Sequence, residues 1–121
     1  MVEEAKSPFC HIVIPAPDLG LAKAFYERVF GWRVQENVPG TSYWFFESGN
    51  VGGAFNSKSR PSRGSVVLVL RVKDLEEAVE LVRQNGGTVT QAPGKIGEAD
   101  PGRDASFLDP NGNELGLYSG A

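Results

Sequence analysis

Residues 10–32 read CHIVIPAPDLGLAKAFYERVFGW, and their reading decides the fold because the pattern occurs twice. Shifted by 56 residues, HIVIPAPDLGLAKAFYERVFGWRV (11–34) lies over VLVLRVKDLEEAVELVRQNGGTVT (67–90). Val13 falls on Val69, Asp18 on Asp74, Leu19 on Leu75, Ala22 on Ala78 and Gly31 on Gly87. Each aspartate follows a short β-branched run and precedes apolar residues at helical spacing, so its carboxylate is placed to accept free N–H groups of a first helical turn. Gly31 and the Gly86-Gly87 pair then supply residues that tolerate a left-handed helix end.

Beyond each helix the apolar period drops to two. Strands are expected at 32–36, 42–47 and 52–56 in the first copy, and at 88–92, 103–108 and 113–118 in the second. The breaks are Pro39-Gly40, Gly49-Asn50, the long 92–102 segment and Pro110-Asn111-Gly112, and Asn-Gly between apolar runs is a hairpin signal. Each copy therefore reads β-α-β-β-β, unit one at about 8–56 and unit two at about 66–119. Residues 57–65, polar and without apolar periodicity, are the linker inside a single domain spanning 1–121. The fold class is α+β: two tandem βαβββ units forming a curved, cup-shaped mixed sheet with helices on its outer face.

The bulk numbers exclude several functions. A chain of 121 residues with net charge -3 has no basic footprint for nucleic acid. Its longest apolar run, VVLVL at 66–70, is far short of a bilayer span of roughly 20 residues. One cysteine permits no internal disulfide, and the opening MVEEAKSP lacks the basic start and apolar core of a signal peptide, so the expected compartment is the cytoplasm.

The first strands CHIVI and VVLVL are apolar on both faces. Alternation puts Cys10, Ile12 and Ile14, with Val66, Leu68, Leu70 and Val72, on the face toward the helices. Phe9, His11 and Val13, with Val67, Val69 and Arg71, then face the cup. Cys10 reads as a small buried hydrophobe. His11, the only histidine, is either a hydrogen-bonded sheet residue or a pocket-lining proton carrier.

A repeated β-α-β-β-β unit with histidine seven residues before an N-cap aspartate, A-x-x-FYE-x-x-x-GW behind it, and a closing FLDPNGNELGLY resembles the vicinal oxygen chelate superfamily of glyoxalase I, bleomycin-resistance proteins and extradiol dioxygenases. The resemblance covers essentially the whole chain. It implies small-molecule binding, divalent metal in some members, and cups often completed across a homodimer. It also implies that a metal would be held by a histidine or glutamate on the first strand of each unit and a glutamate on the last. Here those positions read His11, Val67, Gly116 and, by laying GNVGGAFN over PNGNELGL, a place near Phe55.

With three of these four unable to coordinate, the expectation is a protein without a standard metal site. A rearranged set of His11, Glu47 and Glu114 is the alternative. The first functional reading is a binding module for a small apolar or aromatic ligand. It is lined by Val13, Trp44, Phe46, Phe55, Val67, Val69 and Tyr118, with Arg71 and Arg103 to orient an anionic group. The second is a lyase, isomerase or dioxygenase, using the rearranged metal site or metal-free acid–base chemistry by His11 and Glu114.

Overall fold

The computed structural model describes residues 9–36, 41–61, 66–98 and 101–120. The Pro39-Gly40 break and the linker end with Arg63 lie outside the described residues. Unit one runs β1 (His11–Pro15), α1 (Leu19–Phe30), β2 (Arg33–Gln35), β3 (Tyr43–Glu47) and β4 (Gly52–Asn56). Unit two runs β5 (Leu68–Arg71), α2 (Leu75–Gln84), β6 (Thr88–Lys95), β7 (Arg103–Leu108) and β8 (Glu114–Ser119).

Both helices start where local chemistry directs. The Asp18 carboxylate accepts from Leu21 N–H and that of Asp74 from Glu77 N–H, each at 3.0 Å. Helix α1 stops at Gly31, which adopts φ 72°, and α2 runs out through Asn85 into Gly86 at φ 93°.

The described strands pair as two four-stranded sheets, β1-β4-β3-β2 and β5-β8-β7-β6, rather than as one continuous ladder. In each, the first strand runs parallel to the last and the other pairings are antiparallel. Strand β6 extends to Lys95, into the segment expected to be loop. Its Pro93 is accommodated because β6 is an edge strand whose register shifts twice along β7.

One core serves both units. Ile14, Phe46 and Phe55 of the first sheet and Ala105, Phe107, Leu115 and Leu117 of the second are buried with Ala22, Phe25, Tyr26, Leu75, Val79 and Val82 of the helices. The Tyr26 ring stacks on Trp32 at 4.7 Å and meets Phe55 at 5.1 Å, while Phe25 reaches Phe107 of the other unit at 5.8 Å.

A turn of unit two joins the units through hydrogen bonds. Asp109 is buried; one carboxylate oxygen accepts from the N–H groups of Asn111 and Asn113, the other from Asn113 Nδ2 and the Tyr26 hydroxyl. Asn113 Nδ2 also donates to the Pro15 carbonyl, and Asn111 exchanges two bonds with the backbone of Asp18. Gly112, at φ 97°, supplies the left-handed residue this turn requires.

Candidate functional site

Strand registers decide which side chains leave the core. On the first sheet His11 lies beside Gly52, itself opposite Glu47; Val13 lies beside Ala54, itself opposite Phe45; Asn56 lies opposite Tyr43. These residues share the face away from the helices, where Val13, Tyr43 and Phe45 are exposed. The His11 and Phe45 rings meet edge to face at 6.4 Å across the small residues of β4. On the second sheet Val69 pairs with Gly116 and Arg71 with Tyr118, the guanidinium lying 5.6 Å over the phenol ring. Val69 is exposed on this open face, and Val67, one residue before β5, is exposed as well.

The two sheets meet at a seam, and the seam holds a cavity of about 330 Å³. His11 through Pro15 form one wall; Val66, Leu68, Asn113, Glu114 and Leu115 form the other. His11 and Glu114, on different units and more than a hundred residues apart in sequence, thus line one space whose remaining side chains are mostly aliphatic. That combination of apolar wall and a few convergent polar groups, at a volume near the lower end for such sites, is characteristic of small-molecule pockets. An imidazole and a carboxylate can hydrogen-bond a ligand or exchange a proton with it.

Several expected wall residues lie elsewhere. Phe46 and Phe55 are fully in the core, and Trp44, directly opposite Phe55 in the ladder, is on the helix-facing side with them. The expected faces of β3 are therefore reversed: Tyr43 and Phe45 look outward because Phe46 packs over Gly53, where there is no side chain to displace it. Arg103 is on the helix side of β7, with Ala105 and Phe107. Its guanidinium forks onto the Glu76 carboxylate of α2 at 2.5 and 3.2 Å, so it cannot orient a ligand on the open face. This pairing holds the Glu76 carboxyl below its usual range. Cys10 is exposed rather than buried, because the ladder begins only at His11. Arg71 and Tyr118 are on the expected open face but outside the seam cavity; Arg71 borders a separate hollow with Val72, Lys73 and Ser119.

The registers also correct one implied metal-ligand position. Val13 pairs with Ala54 as its counterpart Val69 pairs with Gly116, so the unit-one equivalent of Gly116 is Ala54, not Phe55. The implied donor set is His11, Ala54, Val67 and Gly116, in which one imidazole is the only group able to bind a divalent ion. The residues do not fit a resident metal in that arrangement. His11 and Glu47 stand two strand spacings apart, roughly 10 Å, across Gly52. Glu47 pairs with Arg33 at 3.2 Å, and no group of three or more His, Cys, Asp or Glu is placed to hold an ion among the described residues.

Comparison with known proteins agrees with the fold. Residues 9–117 match the Glyoxalase/Bleomycin resistance protein/Dioxygenase superfamily. A glyoxalase/bleomycin resistance protein/dioxygenase family enzyme from Burkholderia phytofirmans PsJN superposes with a TM-score of 0.76 at 21% identity, covering 92% of this chain and 97% of that one. A glyoxalase/bleomycin resistance protein from Albidiferax ferrireducens T118 gives 0.72 at 23%, covering 93% and 99%. A glyoxalase I mutant from Zea mays gives 0.67 at 23%, covering 91% of this chain and 46% of that larger one. No curated protein matches the chain. No helix among the described residues is long and apolar enough to cross a membrane.

Proposed function

The chain belongs to the Glyoxalase/Bleomycin resistance protein/Dioxygenase superfamily, and from that premise we propose that it binds a small, mainly apolar molecule in the seam cavity, held by His11 and Glu114, without a metal in the implied arrangement. The observation that carries the reading is that these two polar side chains, from different units, line one mostly aliphatic cavity. The exposed Val13, Tyr43, Phe45 and Val69 on the open faces favour a homodimer as the working form, since a second copy would cover them. The exposed single thiol of Cys10 suits a reducing cytoplasm.

The test is a fragment screen by NMR, using the His11 ring signal as reporter, because the chain has no other histidine. Small aromatic or aliphatic compounds that move this signal should bind about tenfold more weakly to His11→Ala and Glu114→Ala, as expected from losing one hydrogen bond of about 1.4 kcal/mol. Compounds that bind both variants as tightly as the parent would remove the site. Retention of one equivalent of zinc, nickel, manganese or iron after dialysis, abolished by His11→Ala, would overturn the metal-free part.

A catalytic reading has the same pair in its favour, as a metal-free general acid and base. It predicts a compound whose conversion, but not binding, is lost in one of the two variants.

A further inference from the structure

Among the described residues no backbone ladder crosses the seam, so the separation of the cavity walls depends on what ties β1 to β8. The buried Asp109 turn provides such a tie at one end of the cavity. Asn113 belongs to the cavity wall, immediately precedes Glu114, and donates to the carbonyl of Pro15 at 2.6 Å; Pro15 ends the strand that begins with His11. The same amide nitrogen donates to Asp109 at 2.9 Å, and Asp109 accepts the Tyr26 hydroxyl at 2.8 Å from inside α1. Neither Tyr26 nor Asp109 touches the cavity.

We propose that Tyr26 and Asp109 are positioning residues for the seam cavity, aiming Asn113 so that the walls bearing His11 and Glu114 are held in register. The physical basis is the fork at Asp109. With both carboxylate oxygens occupied, two donors each, the carboxylate has no freedom to rotate, and the Asn113 amide held by it has a single orientation. Asn113 Nδ2 then divides its two protons between Asp109 and Pro15, one bond within unit two and one across the seam. Reciprocal bonds between Asn111 and the Asp18 backbone, at 2.8 and 3.0 Å, fix the same turn against the start of α1. The residue 56 positions after Tyr26 is Val82, so the hydroxyl that Asp109 accepts has no counterpart on α2.

This inference rests on the proposed role of the cavity, but its first measurement needs no ligand. In Tyr26→Phe, which keeps the ring and deletes the hydroxyl, and in Asn113→Ala, the His11 ring signal and the Glu114 amide signal should both shift in folded protein, and β1 amides should exchange at least tenfold faster than in the parent. Asp74→Ala, which removes the N-cap of α2, destabilises at a distance and should leave the His11 and Glu114 signals in place. For any fragment bound at the seam, Tyr26→Phe should weaken affinity at least threefold, and Asp74→Ala should not.

If Tyr26→Phe and Asn113→Ala lose stability while both signals stay put, or if Asp74→Ala moves them equally, the turn is general scaffolding and the proposal is wrong. Signal shifts in the absence of any seam-binding fragment would uphold the clasp and reject the ligand reading.

Discussion

Adding one methyl group on either side of β4 should have very different costs, and the difference tests the assignment of its faces. A Cβ on Gly53 would overlap the Ile12 carbonyl oxygen of the adjacent parallel strand and lie 2.5 Å from Phe46 Cζ. Strand β4 is held between β1 and β3, so neither neighbour can yield without breaking ladder bonds. Overpacking of this kind costs about 1–3 kcal/mol when side chains can adjust. Because the first obstacle is backbone, Gly53→Ala should reach about 3 kcal/mol. For a domain of this size that lowers the melting temperature by about 10 °C. A Cβ on Gly52 points to the open face and meets only the Phe46 carbonyl oxygen, at 3.3 Å. The loss of chain entropy in the unfolded state favours Ala by about 0.4–1 kcal/mol at either site, so Gly52→Ala should fall within about 1 kcal/mol of the parent. Urea unfolding of both variants, with slopes compared to establish that the denatured states match, measures the difference. Equal losses, or a Gly53→Ala loss below about 1 kcal/mol, would refute the placement of Phe46 and Gly53 on the core side.

The single thiol should react stoichiometrically with a bulky disulfide reagent in the native state, because Cys10 is exposed; reaction only after denaturant is added would return it to the interior. Tyr26 has its ionisation pushed well above the usual phenol range, first by burial and then by the Asp109 carboxylate. The folded state therefore holds this proton more tightly than the unfolded one. The resulting stabilisation is complete below about pH 10 and is lost as pH rises toward the folded value, so the stability advantage over Tyr26→Phe should shrink in alkaline titrations and would be pH-independent if the phenol were solvated. Glu76 is shifted the other way by Arg103, giving stabilisation present above the ordinary carboxylate range and lost as pH falls through the lowered folded value. Arg103→Ala should thus be deficient at neutral pH, converge with the parent in acid, and leave fragment affinity at the seam unchanged; weakened affinity there would put Arg103 back among the ligand contacts.

What was legible in the sequence is what local chemistry determines. The N-cap aspartates could be read because a carboxylate three residues before a free N–H needs no distant partner. The faces of β1 and β5 could be read because strand alternation there separates His11 and Arg71 from purely aliphatic neighbours. In β3 the same alternation sets Trp44 and Phe46 against Tyr43 and Phe45, aromatic on both sides, and no local property distinguishes core from open face. The deciding fact is the register that seats Phe46 over Gly53, a pairing across strands. Arg103 is different: its alternation with Ala105 and Phe107 marked the buried side, and that signal was available. Cys10 lies one residue before the ladder begins, and a strand end is where alternation stops constraining direction.

The candidate site depends on how the duplication was broken. The registers relate the two copies residue by residue. His11 corresponds to Val67 and Ala54 to Gly116, so Glu114 corresponds to Gly52. The seam cavity therefore carries an imidazole and a carboxylate, where the register-equivalent positions hold an isopropyl group and a bare backbone. The Asp109 turn reinforces the same side, since its contact with Tyr26 has only Val82 as a counterpart. A repeat detected by sliding the sequence over itself finds what the copies share, which is the scaffold of strands, caps and helix ends. Polar groups present in one copy and absent from the other are invisible to that comparison until topology brings them together. In this chain those unmatched residues, His11, Glu114, Asn113 and Tyr26, are the ones that line or support a single cavity.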